Sequence, residues 1–337
     1  MQFDLEKAHL LVTGGSGFMG SSFIRYVLKR TSFQGKLINL DKLTYASNQR
    51  NLSSIEMLPA YRFIHGDIKD PILLEAIYRE YKPDAVIHFA AQTHVDRSIQ
   101  DPLIFLDTNV AGTLTLLEWI RSHPSIHFHH ISTDEVYGSL SQEGSFKEDS
   151  PYDPSSPYSA SKAAADHFVR AYARTYGISF TLSHASNNYG PYQFPEKFIP
   201  SMILNGLQGK PFPIYGRGEN IRDWLFVDDH SRAIWDILHL GKPGTTYNIG
   251  GGAKRSNLSV AKEIVKLLSE ETNQDQDALI KKISFVPDRP GHDFCYALNC
   301  KKIQEEIRWA PLTDFQTGLR NTVKWYCKHQ TYYEVNR

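Results

Sequence analysis

Thr13-Gly14-Gly15-Ser16-Gly17-Phe18-Met19-Gly20 lies between an apolar run, His9–Val12, and an amphipathic stretch, Phe18–Arg30. Gly15, Gly17 and Gly20 satisfy a GxGxxG spacing, while Gly14, Gly17 and Gly20 satisfy GxxGxxG. Absent side chains allow a tight strand-to-helix turn, close approach of backbone to a pyrophosphate, and close helix–strand packing. The helix that follows offers free amides and partial positive charge at its N-terminus. A glycine triplet alone is equally compatible with a plain turn, so the flanking pattern decides.

Short apolar runs alternate with longer amphipathic ones on both sides of that turn. His9–Val12, Lys36–Leu40, Tyr61–His65, Asp84–Phe89, Phe128–Ser132 and Ser179–His184 read as strands. Phe18–Arg30, Pro71–Tyr81, Pro102–Arg121 and Pro157–Tyr176 read as helices by length and spacing. Ser155 or Ser156 can cap the last of these, Pro157 suits its first position, and Gly177 ends it. Such alternation predicts an α/β fold, a Rossmann-type doubly wound parallel sheet. After Ser186, Pro, Gly, Tyr and Asn become frequent through Asn187–Gly218 and the alternation is lost. Regular structure returns over Trp224–Leu240 and in a helix over Val260–Glu271. The expected organisation is a dinucleotide-binding domain over 1–185 and a smaller, loop-rich lobe over 186–337. Residues 224–249 are expected to return to the main sheet.

Composition narrows the class. Lys plus Arg equals Asp plus Glu at 37 each, so no global charge calls for nucleic acid or a membrane surface. Met1–Lys7 carries Asp4 and Glu6 where a secretory signal carries basic residues. No run of consecutive apolar residues approaches the roughly 18 that a membrane helix needs. Cys295, Cys300 and Cys327 have neither metal spacing nor even pairing. These features predict cytoplasmic residence with reduced thiols, and no nucleic-acid or membrane partner.

Asp41 ends the second predicted strand, roughly 20 residues beyond the glycines, where a carboxylate accepts both ribose hydroxyls of NAD. It would repel a 2′-phosphate, although Lys42 beside it could meet one. Asp67 and Ile68, in Gly66-Asp67-Ile68 after the third strand, fall where an adenine would lie; a turn or capping role for Asp67 is equally open.

Tyr158 and Lys162 stand four apart at the start of a helix and share one face. A free phenol titrates near pKa ~10, so its use as a base requires a stabilised phenolate, which a nearby ammonium favours. Ser132-Thr133-Asp134-Glu135-Val136-Tyr137-Gly138 follows the fifth strand, at the sheet edge that faces the ligand crevice. Thr133 can hydrogen-bond a hydroxyl that becomes a ketone. One of Asp134 and Glu135 can protonate a departing hydroxyl while the other removes a carbon-bound proton. Those roles need different protonation states, which burial and mutual repulsion can supply.

Together with Asp41–Tyr45, Ala90–Asp96, Asn187–Lys197, Asn220–Trp224 and Arg289–Asp293, these motifs resemble the extended short-chain dehydrogenase/reductases. Within them, the Thr-Asp-Glu triplet is similar to that of the dTDP-glucose 4,6-dehydratases. The resemblance spans essentially the whole chain. It implies a hydro-lyase holding NAD at Gly14, Gly17, Phe18, Met19, Gly20, Asp41, Lys42, Thr44, Asp67, Ile68, Ala90, Ala91, Thr108 and Asn187. It implies catalysis by Thr133, Asp134, Glu135, Tyr158 and Lys162, with Asp134 as acid and Glu135 as base. A nucleotide sugar would meet Thr93, Asn188, Glu196 and Lys197 at its hexose. Arg222, Asn257 and Arg289 would lie at its diphosphate, with Pro213 and Tyr215 at its base, and His292 would also contact the substrate.

Phe294 and Cys295 stand where arginines are usual in that family, and Asn299, His184 and Ser47 replace Asp, Arg and Gly. The first two adjoin the expected nucleotide pocket and leave UDP-glucose as a rival substrate. A nucleotide-sugar 4-epimerase or decarboxylase would share the cofactor and the Tyr158–Lys162 pair, but has no use for Asp134 beside Glu135. A silent NAD-binding protein is the non-enzyme alternative. His127, His129 and His130 are read as structural, because strand alternation separates His129 from His130, and no metal site is expected. The helices Pro102–Arg121 and Pro157–Tyr176 are expected to form a homodimeric helix bundle.

Overall fold

The structure is a computed structural model that describes residues 3–141 and 143–333. The first half runs β1 (His9–Thr13), α1 (Phe18–Arg30), β2 (Lys36–Asp41), β3 (Tyr61–His65), α2 (Pro71–Tyr81), β4 (Ala85–His88) and α3 (Val95–Gln100). It continues with α4 (Pro102–Phe105), α5 (Gly112–Ser122), β5 (His127–Thr133), α6 (Pro157–Tyr176) and β6 (Phe180–Ala185). The second half adds β7 (Asn187–Tyr189), α7 (Phe198–Leu207), β8 (Phe212–Tyr215), β9 (Ile221–Phe226), α8 (Val227–Leu240), β10 (Thr245–Ile249) and β11 (Lys254–Ser256). It closes with α9 (Asn257–Thr272), α10 (Gln276–Ile280), β12 (Ile283–Val286), α11 (Lys301–Ile307) and α12 (Phe315–Lys328).

Seven parallel strands form the main sheet in the order β10-β6-β5-β4-β1-β2-β3. Strand order reverses between β1 and β4, which opens a crevice at their carboxyl ends. Both faces are covered, as a parallel sheet requires: every residue of β4, β5 and β6 is buried. One face packs Leu116 and Ile120 of α5 and Val169 of α6 onto Val86 and Phe128. The other packs Phe23 and Val27 of α1 and Ile234 and Leu238 of α8 onto Leu10 and Ile87.

Trp224 belongs to β9, which pairs parallel with β7 and antiparallel with β11 in a separate three-stranded sheet. Beta10 returns beside β6. A second core, with Ile203, Phe212, Ile264, Leu268, Leu319 and Val323 among its members, lies under the later elements.

One helical reading is corrected. The stretch predicted as one α-helix from Pro102 is interrupted by a π-helical segment, Leu106–Ala111. The distortion surrounds buried Asn109, whose carbonyl accepts from Thr113 Oγ1 at 2.6 Å. Such widened turns recur at functional sites. By length and composition the whole helix, Pro102–Ser122, passes for a membrane-crossing one, but Asp107, Thr108 and Asn109 interrupt its apolar run and half of its most apolar stretch is buried inside the fold.

Alpha6 begins as predicted, and Ser156 is the capping serine. It accepts from Ser159 N while Ser159 Oγ accepts from Ser156 N, a reciprocal box. Gly177 closes the helix at φ +72°.

Candidate active site

The glycine turn is set by contact distances. A Cβ on Gly14 would lie 2.6 Å from Ala90 N, and one on Gly20 would lie 2.4 Å from Gly14 O. A Cβ on Gly17 would meet only Gly14 O, at 3.3 Å, so this position is open on its outer side. No side chain caps α1 at Gly17, which leaves the first-turn amides of Phe18 and Met19 free of a capping side chain. This cradle fits a pyrophosphate.

Asp41 is buried, and its carboxylate accepts from Ser16 N at 2.9 Å, Leu43 N at 2.8 Å and Ser47 Oγ at 2.9 Å. The serine at an expected glycine position therefore buttresses this carboxylate. Lys42, read as free to meet a phosphate, is paired with Asp67 at 2.7 Å. Asp67 also accepts from Lys69 N in a turn, and Asp70, not Asp67, caps α2. Ile68 is buried beside them, Ala90, Ala91 and Thr108 are partly buried at the sheet edge, and Thr44 is exposed. Asn187 opens β7, its buried Oδ1 without a partner.

The chemical residues converge at the end of β5. Thr133 caps a single helical turn, Asp134–Tyr137, accepting from Glu135 N and donating to Asp134 Oδ1, both at 3.3 Å. Tyr158 and Lys162 enter from the first turns of α6, both buried. Lys162 Nζ donates to Ile131 O at 2.7 Å, and no hydrogen bond joins it to Tyr158. Asn109, from the π-helical segment, donates to Ser161 Oγ at 2.8 Å and exchanges two bonds with the backbone of Gln92. It thereby fixes the start of α6 against the loop after β4.

Burial and neighbours separate the two carboxyls. Burial pushes Asp134 well above the usual carboxylate range, and Glu135 and Asp223 push it further, against a smaller effect of Arg222. Its Oδ2 has no hydrogen-bond partner. Burial also raises Glu135, but Arg289, Arg222 and Lys197 oppose that rise. Both carboxyls are raised, Asp134 the further, and three cations oppose the rise at Glu135. The Tyr158 phenol is pushed up by burial and then by Glu135, while the Thr133 hydroxyl beside it pulls the other way. Burial lowers Lys162 to about 8, with Asp166 opposing.

Asp166, one turn beyond Lys162, was not singled out from sequence, although four-residue spacing puts it on the same face. It is fully buried and accepts from Ser132 Oγ at 2.8 Å and Tyr152 OH at 2.9 Å. His184, at a position where arginine was expected, lies 3.2 Å from it, and so does His130. His127 and His129 face the other way, onto Thr181.

The opposite wall comes from the second lobe. Lys197 donates to Thr93 O at 2.7 Å, and Glu196 accepts from Tyr45 OH at 2.9 Å and pairs with Arg97 at 3.4 Å. Asn188 Oδ1 and Arg289 Nε are buried without partners. Arg289 Nη1 lies 3.7 Å from Asp96, which also accepts from Tyr215 OH at 3.1 Å. Asp96, never assigned from sequence, thus bridges the lobes. His292 is bound to Asp288 at 2.6 Å and stands edge-on to Tyr215. Pro213 is exposed on the same face of β8 as Tyr215, and Asn257 opens α9.

Arg222 is buried. Its guanidinium donates to the carbonyls of Ile221, Asp293 and Phe294 and stacks on Tyr296. It faces the two carboxyls as a fixed charge. Phe294 and Cys295 belong to that support: Phe294 N bonds Ser139 Oγ, and Cys295 bridges to Leu140 and Ile221.

A family profile described as GDP-mannose 4,6 dehydratase matches residues 11–322. The dTDP-glucose 4,6-dehydratase of Haemophilus influenzae is 52% identical over 94% of this chain and 97% of its own. A probable dTDP-glucose 4,6-dehydratase of Sinorhizobium fredii is 48% identical over 97% and 95%. Among solved structures, DesIV, the dTDP-glucose 4,6-dehydratase of Streptomyces venezuelae with NAD bound, superposes with a TM-score of 0.91. It is 43% identical, and the match covers 98% of this chain and all of that one. The UDP-glucose 4-epimerase of Thermotoga maritima also superposes, at TM-score 0.85 and 28% identity over 96% and 99%.

Proposed function

The chain belongs to the GDP-mannose 4,6 dehydratase family, and from that premise we propose that it is an NAD-dependent hydro-lyase converting dTDP-glucose to its 4-keto-6-deoxy sugar and water. The dTDP-glucose 4,6-dehydratases are close relatives over nearly the whole chain. One observation carries the reaction class: adjacent carboxyls, the first raised further by burial and the second faced by three cations, beside a tyrosine and a buried lysine. A 4-epimerase needs the tyrosine and lysine but has no elimination to assign to that pair.

Residues at the glycine turn, with Asp41, Asp67, Ile68, Ala90, Ala91, Thr108 and Asn187, hold NAD, which supplies a hydride acceptor at the sugar and returns the hydride. Tyr158 takes the proton of the C4 hydroxyl, and Thr133 holds the oxygen that becomes the ketone. The ketone acidifies C5–H, and Glu135 removes that proton. Asp134 gives its proton to the C6 hydroxyl, which leaves as water; the hydride taken from C4 would then be returned to C6 and a solvent-exchanged proton to C5. Lys162, at the start of α6, supplies positive charge to Tyr158 without bonding it. Asn188, Glu196, Lys197 and Thr93 bind the hexose. Arg289, Asn257 and His292 meet the diphosphate, where Arg289 offers an unpaired Nε, and Pro213 and Tyr215 flank the base.

The protein is a cytoplasmic homodimer. Leu103, Ile104 and Leu106 are 71%, 42% and 55% exposed, and Phe168 and Tyr176 of α6 are 37% and 48% exposed. Exposed apolar side chains on these two helices support pairing with a second copy. Light scattering that shows monomer alone at working concentration contradicts the dimer.

The test of function is an NMR time course of purified protein with dTDP-glucose, then UDP-glucose, without added NAD. A 6-deoxy methyl signal appearing faster with dTDP-glucose is expected. No change with either sugar, even after NAD is supplied, contradicts the dehydratase reading and favours a silent binder.

A further inference from the structure

The C-terminal segment beyond the family match at residue 322 does more than end α12. Tyr332 is 8% exposed, and its hydroxyl donates to Asn51 Oδ1 at 2.8 Å. Asn51 Nδ2 in turn donates to the carbonyl of Ser16, inside the glycine turn, at 3.0 Å. Arg50 donates to Tyr332 O at 3.0 Å, and its guanidinium lies 4.6 Å from the centre of that ring. Arg25, from the helix the glycine turn opens, donates to Asn51 O at 2.7 Å. It also stacks on Tyr192, 4.2 Å from the ring centre.

The neighbouring tyrosine reaches the other side of the cleft. Tyr333 OH donates to Gln193 O at 3.0 Å, and Tyr326 OH donates to the same carbonyl. Gln193 Nε2 then donates to Asn188 O at 2.9 Å. Tyr192, beside it, sits at φ +71°, a region that costs a bulky residue energy unless its surroundings impose it. Trp325 and Tyr332 pack against that ring, at 4.6 Å and 5.7 Å between centres. Two chains of contacts therefore leave one short tail, one ending on the glycine turn and the other on the Asn187–Asn188 segment.

We propose that Tyr332 and Tyr333 are positioning residues for the dinucleotide, forming a tail clasp that locks the glycine turn to the Asn187–Asn188 segment and slows cofactor release. The proposal rests on the assignment of the glycine turn to NAD. A reaction that leaves its cofactor unchanged each turn gains from such retention, because no exchange is needed between cycles.

The experiment measures the rate of NAD dissociation and the content of co-purified NAD for the full chain, for Tyr332→Phe, and for a chain ending at His329. Melting temperature without NAD is measured alongside. Loss of one hydrogen bond in Tyr332→Phe is expected to speed release by about fivefold. Loss of the tail is expected to speed it more, with both apo forms still melting cooperatively. Equal dissociation rates in all three proteins overturn the clasp, whatever the melting temperatures do. If the full chain neither carries NAD nor gains stability from added NAD, the cofactor assignment falls, and the clasp with it.

Discussion

The two walls of the cleft are built on different physical terms. The sheet-end wall, Thr133–Glu135 with Tyr158 and Lys162, lies in low dielectric with few direct ion partners, and burial is the leading influence on each titrating group. The lobe wall is made of charges that already have partners: Glu196 with Arg97, Arg289 with Asp96, Lys197 with Thr93 O. Desolvation on one side raises the carboxyls and the phenol; arranged charge on the other side opposes that rise at Glu135. Chemistry and binding should therefore respond separately to mutation.

The largest effects should come from the buried wall. Tyr158→Phe, Glu135→Gln and Asp134→Asn should each lower kcat by about 10²–10⁴-fold with KM little changed, as removal of a general acid or base does. Steady-state kinetics that move only KM would break the comparison. Across the cleft, Arg289→Ala should raise KM by about 10–100-fold, the loss of one charge-assisted contact, with a smaller change in kcat.

Two pH experiments sharpen the contrast. Lys162 titrates at about 8 in the fold, so kcat should fall as pH rises through that value, and the fall should survive Arg289→Ala. Asp134 is raised in the fold, so above the unfolded value of 3.8 the native state binds more protons than the unfolded one. Its contribution to stability is therefore full at low pH and declines as pH rises. Asp134→Asn, which cannot ionise, should raise the melting temperature at pH 7 relative to pH 4, by about a few degrees. A melting temperature lowered at neutral pH would contradict burial as the cause. The smallest effect is expected of Asp96→Asn: a partly exposed pair contributes about 0.2–1 kcal/mol, so KM should rise only a few-fold.

Legibility divides the chain much as the walls do. The first half was readable because parallel strands buried on both faces give continuous apolar runs, and their carboxyl ends carry the motifs. The π-helical segment escaped, since Asn109 distorts the helix through tertiary bonds to Gln92 and Ser161. Alpha7 was read as loop because of Pro200 and Gly206. Pro200 lies in its first turn, where a missing N–H costs nothing. Gly206 is packed so closely that a Cβ would lie 2.5 Å from Leu268. Arg222 shows a subtler limit: the resemblance puts it at a diphosphate, but its bonds to three carbonyls depend on how residues 293–296 fold back. Asp96 and Asp166 carry signals only in hindsight, one within a quoted motif and the other one helical turn from Lys162.

The central claim is that Glu135 removes the C5 proton while Asp134 protonates the leaving hydroxyl. The most direct measurement is the isotopic content of product made from unlabelled dTDP-glucose in deuterated water. The account predicts deuterium at C5 and a methyl group that keeps the hydrogen transferred from C4. Product that remains protiated at C5 would contradict it.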